Sequence, residues 1–111
     1  MRWTRCVRGD IYRIRAKKHA HGHEQRGTRY AIVVQADYLN LSTLLVAPTS
    51  TSARPCDFRP TITIDGTETR VLVEQTTAVN AETRLGDFAG RLDAEELTEL
   101  DRALALVLGL F

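Results

Sequence analysis

Apolar residues fall along this chain in short strand-like stretches, some alternating with a period of two and some continuous β-branched runs, and take a helical period at the end. Residues 9–15 (Gly-Asp-Ile-Tyr-Arg-Ile-Arg) read as a first strand, with Tyr12 and Ile14 on one face and Arg13 and Arg15 on the other. Residues 30–36 (Tyr-Ala-Ile-Val-Val-Gln-Ala) are rich in β-branched side chains, long enough for a central strand and short for a helix. Residues 43–49 repeat that signal, and Pro48, which lacks a ladder donor, is expected to end or bulge the strand. Thr61 to Ile64 alternates, Asp65-Gly66 supplies a hairpin turn, and Val71 to Gln75 is expected to return as the partner strand. Residues 85–91 are a last strand, weakened by Gly86 and Gly90. Residues 16–28 and 51–60 are polar, contain Gly or Pro, and lack a period, so they read as loops.

The rhythm changes after Leu92. Asp93 is placed to cap a helix, Glu96 completes a capping box, and Leu92 and Leu97 occupy hydrophobic-staple positions. Leu97, Leu100, Leu104, Val107 and Leu108 recur at helical spacing as a core-facing stripe, Leu106 falls off it as a candidate contact with another chain, and Gly109 is the stop. Five or six short strands and one terminal helix predict a mainly β (α+β) fold, a small curved sheet or barrel with the helix packed on it.

With 111 residues, 43% hydrophobic and 26% charged, the chain is expected to form one globular domain over residues 1–111. No apolar run approaches the roughly 18 residues of a membrane span, and the first residues lack the apolar core of a signal peptide. A cytoplasmic protein with no membrane partner is therefore expected. Cys6 and Cys56 match no zinc-ligand spacing and are expected to be reduced thiols. The net charge of +1 hides an asymmetry: residues 1–30 carry nine Arg or Lys against two acids, and residues 86–111 carry six acids against two arginines. A basic face that meets phosphate would produce this pattern, although a solvated charged surface would too.

A phosphate-binding Gly loop ending in Lys-Ser/Thr, a Gly-x-Ser-x-Gly elbow and a His-Glu-x-x-His helix are all absent. His19, His21 and His23 alternate and could bind zinc, carry protons or contact RNA, but in a Gly-containing loop alternation fixes no common face, and no metal or other cofactor is expected. Two other segments offer chemistry. Glu24-Gln25-Arg26-Gly27-Thr28-Arg29 runs directly into a strand, and Arg29 has the planar fork that binds phosphate with two parallel hydrogen bonds. Thr49-Ser50-Thr51-Ser52 places four hydroxyls at a strand end, where they could position phosphate oxygens.

In this order and spacing these segments resemble the MazF/PemK toxins. Arg8-Gly9-Asp10-Ile11-Tyr12 is similar to the family's opening strand, and Gly22-His23-Glu24-Gln25-Arg26-Gly27-Thr28-Arg29 resembles its Gly-Ser-Glu-Gln-x-Gly-x-Arg loop. Tyr30 stands where the family usually has Pro, and Asp37 and Asn40 fall where Asp and Asn are common. Val46-Ala47-Pro48-Thr49-Ser50-Thr51 resembles the Val-x-Pro-x-Thr-Thr/Ser segment, and Val73-Glu74-Gln75 its Asp/Glu-Gln strand. The resemblance covers roughly residues 7–110. It implies an SH3-like, PemK/CcdB-type curved barrel of five to seven strands with a C-terminal helix, assembled as a homodimer. It further implies the toxin of a type II toxin–antitoxin system, a sequence-specific endoribonuclease that cleaves single-stranded RNA (mRNA, tRNA or rRNA) without a metal, neutralised by a cognate antitoxin. The family's catalytic Arg falls on Arg29 and its catalytic Thr on Ser50, where the lost methyl frees the rotamer. Glu24, Gln25, Arg26, Thr49, Thr51 and Gln75 are candidate RNA contacts. The rival readings are a CcdB-like, non-enzymatic inhibitor of DNA gyrase on the same fold and a plain RNA-binding barrel. The Gln-x-Gly-x-Arg loop favours the nuclease.

Overall fold

The computed structural model describes residues 6–15 and 29–110. Seven strands form one antiparallel sheet: β1 (Asp10–Ile14), β2 (Tyr30–Val33), β3 (Leu44–Ser50), β4 (Thr61–Ile64), β5 (Thr67–Val71), β6 (Thr77–Val79) and β7 (Leu85–Arg91). A 3-10 turn (Val73–Gln75), the short helix α1 (Ala81–Arg84) and the terminal helix α2 (Ala94–Leu108) complete it. The spatial order is β4-β5-β3-β2-β1-β7, with β6 also paired to β3.

The centre of the sheet is buried on both faces, which explains why the segment from Ala31 to Val34 is uniformly apolar instead of alternating. Ile32 and Val34 join Ile11, Ala47, Ile62, Ile64, Val71 and Val73 under Leu100 and Ala103 of α2. Ala31 and Val33 join Tyr12, Val46, Val79 and Leu85 on the opposite face. A strand covered on both sides has no polar face to show.

Pro48 sits within β3, opposite Ala31, and neither ends nor bulges the strand as expected. On the edge away from β2, β3 pairs with β6 through Leu44–Val46 and with β5 through Thr49 and Ser50. Pro48 lies between these two partners. Its carbonyl on that edge accepts from the Leu72 N–H, so its donorless nitrogen faces the gap where the partner changes.

The second correction concerns the hairpin. The partner of β4 is Thr67–Val71, and Val73–Gln75 is a 3-10 turn. Asp65 (φ 56°) and Gly66 (φ 78°) make a two-residue turn, so Ile64 must pair with Thr67 immediately. The polar Thr67–Arg70 stretch gave no hydrophobic signal, which hid the strand from the sequence reading. β6 and α1 were likewise not anticipated; the Asn80 side chain caps α1 by accepting from the Glu82 and Thr83 N–H groups.

Helix α2 has the expected capping box at Asp93 and Glu96 and a left-handed cap at Gly109. Leu100 is buried, and Leu97 and Leu104 pack against the core, but Val107 and Leu108 do not complete the stripe: Leu108 is 61% exposed. The last turn of α2 therefore shows Leu106, Val107 and Leu108 to solvent.

The opening Arg8-Gly9-Asp10 segment locks the sheet to its surroundings. Arg8 donates its N–H to Asp37 and its guanidinium to the Val34 carbonyl and to Asp101 of α2. Asp10, almost fully buried, accepts from the Val7 N–H, the Tyr12 hydroxyl and the Arg91 guanidinium. Burial, then hydrogen bonding with Cys6 and the charge of Asp10, pushes the Tyr12 hydroxyl pKa above its ordinary value. Cys6 and Cys56 are free thiols. Among the described residues no helix is long and apolar enough to cross a membrane.

Candidate functional site

The β2–β3 register sets the geometry of the site. Ala31 lies opposite Pro48, and two more steps along each strand bring Arg29 opposite Ser50. On the β1 side the ladder still holds at that point, because the Arg29 carbonyl accepts from the Ile14 N–H. The Arg29 Nε–H donates to the Thr49 carbonyl at 3.2 Å, which ties the guanidinium to the residue just before Ser50. Both side chains are half-buried. Both line one cavity of about 260 Å³ at the rim of the sheet, together with Thr51, the hydroxyl residues Thr67 and Thr69, and Asp65 on the β4–β5 turn.

Ser50 is held more tightly than a free serine. Its Oγ accepts from the Ser52 N–H (3.2 Å) and the Ala53 N–H (3.1 Å) and lies 3.3 Å from the Ser52 Oγ. Two acceptances fill its lone pairs, so its own proton is available for donation, to Ser52 or to a ligand oxygen. This local turn supplies the restraint that the missing methyl of threonine would have given.

Thr49 is 2% exposed and donates its hydroxyl to the Tyr30 carbonyl, so it holds the ends of β2 and β3 together while forming part of the cavity wall. Thr51 is exposed on the rim. Tyr30 lines the cavity and packs on the helix-side core, with the Arg13 guanidinium 6.0 Å from its ring centre. Gln75 is exposed on the 3-10 turn and does not line this cavity. Glu24, Gln25, Arg26, His19, His21 and His23 lie outside the described residues. Among the described residues no group of three His, Cys, Asp or Glu could hold a metal ion.

The sequence reading missed two neighbours. Asp65 joins the cavity through its turn. Arg70 is the direct partner of Ser50 across β3 and β5, and Arg29, just before β2, continues that row on the other side when the β2–β3 register is extended. Only the Asp-Gly turn carried a signal for Arg70, since it fixes Thr61 opposite Arg70. Among the described residues neither arginine forms an ion pair; the pairs are Arg8–Asp101, Arg59–Glu74, Arg91–Asp10 and Arg102–Glu99. Two guanidiniums outside these ion pairs, on either side of a donating hydroxyl, favour an anion, with Asp65 as the one carboxylate on the cavity.

Comparisons with known proteins agree with this architecture. The chain is 40% identical over 104 residues to a candidate toxin of Mycobacterium tuberculosis strain H37Rv, covering 94% of this chain and 98% of that protein. Its fold is similar to that of a mycobacterial endoribonuclease in complex with its cognate antitoxin, with TM-score 0.76, 19% identity, and coverage of 95% and 96% of the two chains. A MazE–MazF structure from Deinococcus radiodurans gives TM-score 0.75 at 23% identity over 95% and 96%. At these identities the solved structures speak for the fold, a curled antiparallel sheet with a C-terminal helix. The sequence profile of the PemK-like, MazF-like toxins of type II toxin–antitoxin systems matches residues 7–108. With fold, sequence match and curated relative in agreement, the chain belongs to the PemK/MazF-like family of toxins of type II toxin–antitoxin systems.

Proposed function

We propose that this toxin, acting as one domain, is a metal-independent endoribonuclease of the cytoplasm that cuts single-stranded RNA at the cavity shared by Arg29 and Ser50. The observation that carries this reading is the juxtaposition itself: an arginine unpaired among the described residues and a proton-donating hydroxyl, on adjacent strands, lining one recess. The reaction is attack of the RNA 2′-oxygen on the neighbouring phosphorus. A P–O2′ bond forms, the P–O5′ bond breaks, the 2′ proton passes to a base, and a proton is supplied to the leaving O5′. The products are a 2′,3′-cyclic phosphate and a 5′-OH.

Arg29 stabilises the charge that grows on the phosphoryl oxygens, and Ser50 donates a further hydrogen bond to them. Arg29 is not the base, because a guanidinium with a pKa above about 12 keeps its proton. Asp65 on the cavity rim is one acceptor for the 2′ proton, and Glu24 and the histidines of the segment 16–28 are further candidates by residue type alone. DNA, lacking the 2′-OH, is not cut. Sequence choice comes from exposed bases bonding in the groove, with Gln25, Arg26, Thr51 and Gln75 as readers. Homodimer formation and capture by a cognate antitoxin are supported by exposed apolar side chains in two places, Tyr38, Leu39, Leu41 and Leu45 near the start of β3 and Leu106 to Leu108 on α2.

The test is to incubate the purified protein with total RNA in EDTA and map the new ends. New 5′-OH ends with 2′,3′-cyclic phosphates at a short recurring sequence are expected. RNA left intact, or activity lost in EDTA and regained with zinc, would remove this proposal.

A further inference from the structure

Arg70 has no role in the cut described above and does not line that cavity, yet it pairs with Ser50 from the other flank. β3 lies between β2 and β5, so the row runs Arg29, Ser50, Arg70, with Thr61 of β4 as the next residue. Register partners project from the same face of a sheet, and adjacent strands lie about 4.8 Å apart, so the two arginine backbones stand roughly 10 Å apart with the hydroxyl midway. The row lies on the face opposite α2, because Ser50 shares its side of β3 with Val46, and Arg29 shares its side of β2 with Ala31 and Val33.

The Arg70 side chain is half-buried, and its Nε is buried without a hydrogen-bond partner among the described residues. The ion pairs of the described residues do not include it, although Asp65 and Glu68 are on the same hairpin. A buried donor without an acceptor is exceptional in a folded protein. Nε itself is covered and beyond a ligand's reach, but the terminal nitrogens of this half-buried side chain have no acceptor among the described residues either, and next to a proposed phosphate site they match a phosphodiester oxygen.

We propose that Arg70 is a second phosphate-binding guanidinium of the RNA groove, holding a backbone phosphate adjacent to the one that lies between Arg29 and Ser50. This rests on the reading of Arg29 and Ser50 as an RNA site. Arg29 and Ser50 perform the cut, and Arg70 is a positioning residue that anchors the strand on the far side. Because phosphate carries no base identity, the contact is the same for every sequence that is cut.

The experiment compares the full-length protein with Arg70→Gln and Arg70→Lys, using an RNA oligonucleotide spanning a mapped cleavage site. Binding is measured separately on the same oligonucleotide with a 2′-deoxy residue at the cut. Arg70→Gln is expected to raise KM and the binding constant Kd about tenfold, with kcat within about twofold and the cleavage sequence unchanged. The slope of log Kd against log salt is expected to fall by about 0.7, the value for one single-strand phosphate contact. Arg70→Lys should recover part of the affinity. On the unaltered protein, a neutral methylphosphonate at one linkage flanking the cut should produce the same tenfold loss, which keeps the test valid if Arg70→Gln fails to fold. Unchanged affinity and salt slope in a folded Arg70→Gln, a loss in kcat with KM unchanged, or indifference to every flanking methylphosphonate would overturn the assignment. If the parent protein binds RNA in an Arg70-dependent way but never cuts it, the nuclease reading falls and the phosphate contact stands.

Discussion

Arg29→Ala removes one guanidinium and one hydrogen bond, and the two losses differ in size. The hydrogen bond is that of Nε–H to the Thr49 carbonyl at 3.2 Å in a half-buried place. A bond of this kind contributes about 1 kcal/mol to stability, which in a domain of this size lowers Tm by about 5 °C. In the proposed reaction the guanidinium acts on charge that appears only in the transition state. At about 4 Å and an effective dielectric of about 20, one added charge interacts with it by about 4 kcal/mol. Part of that attraction is already present in the ground state, so the differential falls near 3–4 kcal/mol, or a 10²- to 10³-fold loss of kcat. Arg29→Lys keeps the charge but loses the planar fork, and its rate should fall between parent and alanine variant. The assay is single-turnover cleavage of a labelled oligonucleotide, with a thermal melt of each variant alongside. An Arg29→Ala protein that melts within about 10 °C of the parent and cuts RNA within threefold of its rate would refute the assignment.

Ser50→Ala should slow cleavage roughly 10- to 100-fold, since it deletes the donor proposed to meet the phosphate and the acceptor that holds the Ser52 and Ala53 N–H groups. Ser50→Thr keeps both functions and should cut within about threefold of the parent; unchanged turnover in the alanine variant would remove this hydroxyl from the mechanism. The Arg59 guanidinium, gripping Glu74 through Nε and Nη2, holds the Glu74 carboxyl below its usual pKa although burial pushes the other way. A carboxyl lowered in the folded state stabilises fully above the unfolded-chain value of about 4.3, and that contribution disappears as pH falls through the folded value. Melts from pH 7 to pH 3 should therefore show a smaller loss of Tm in Arg59→Met than in the parent, and parallel curves would exclude the pair as a source of acid lability.

Local information was enough for much of the fold. Period-two alternation located β1 and β4, β-branched apolar runs located β2 and β3, a short run around Phe88 located β7, and the Asp93/Glu96 box with Gly109 located α2, because each signal is contained within a few consecutive residues. The failures were those of neighbours distant in sequence. Val71–Gln75 was read as the strand for its apolar residues, whereas the tight turn at Asp65-Gly66 forces pairing from Thr67, polar or not. Pro48 was read as a strand end, whereas the change of partner from β6 to β5 leaves its nitrogen facing a gap. Val107 and Leu108 keep the helical period but lie exposed on the last turn of α2, and no period can report where a neighbour stops.

The candidate site divides in the same way. The residue types were legible in the chain itself, because an arginine at a strand start and a row of hydroxyls after Pro48 are short motifs. Tertiary structure decided which of them face one another: Arg29 comes opposite Ser50 by strand register, Thr49 turns its hydroxyl inward to Tyr30, and Arg70 arrives on the far flank. The amino-acid sequence thus determined which chemical groups exist and which stretches extend or coil. Their arrangement was decided by pairing between strands distant along the chain, β2 with β3 and β3 with β5, where Ser50 meets Arg70 twenty positions on. Such pairing is set by turn geometry and by burial of both sheet faces, neither of which belongs to any single segment.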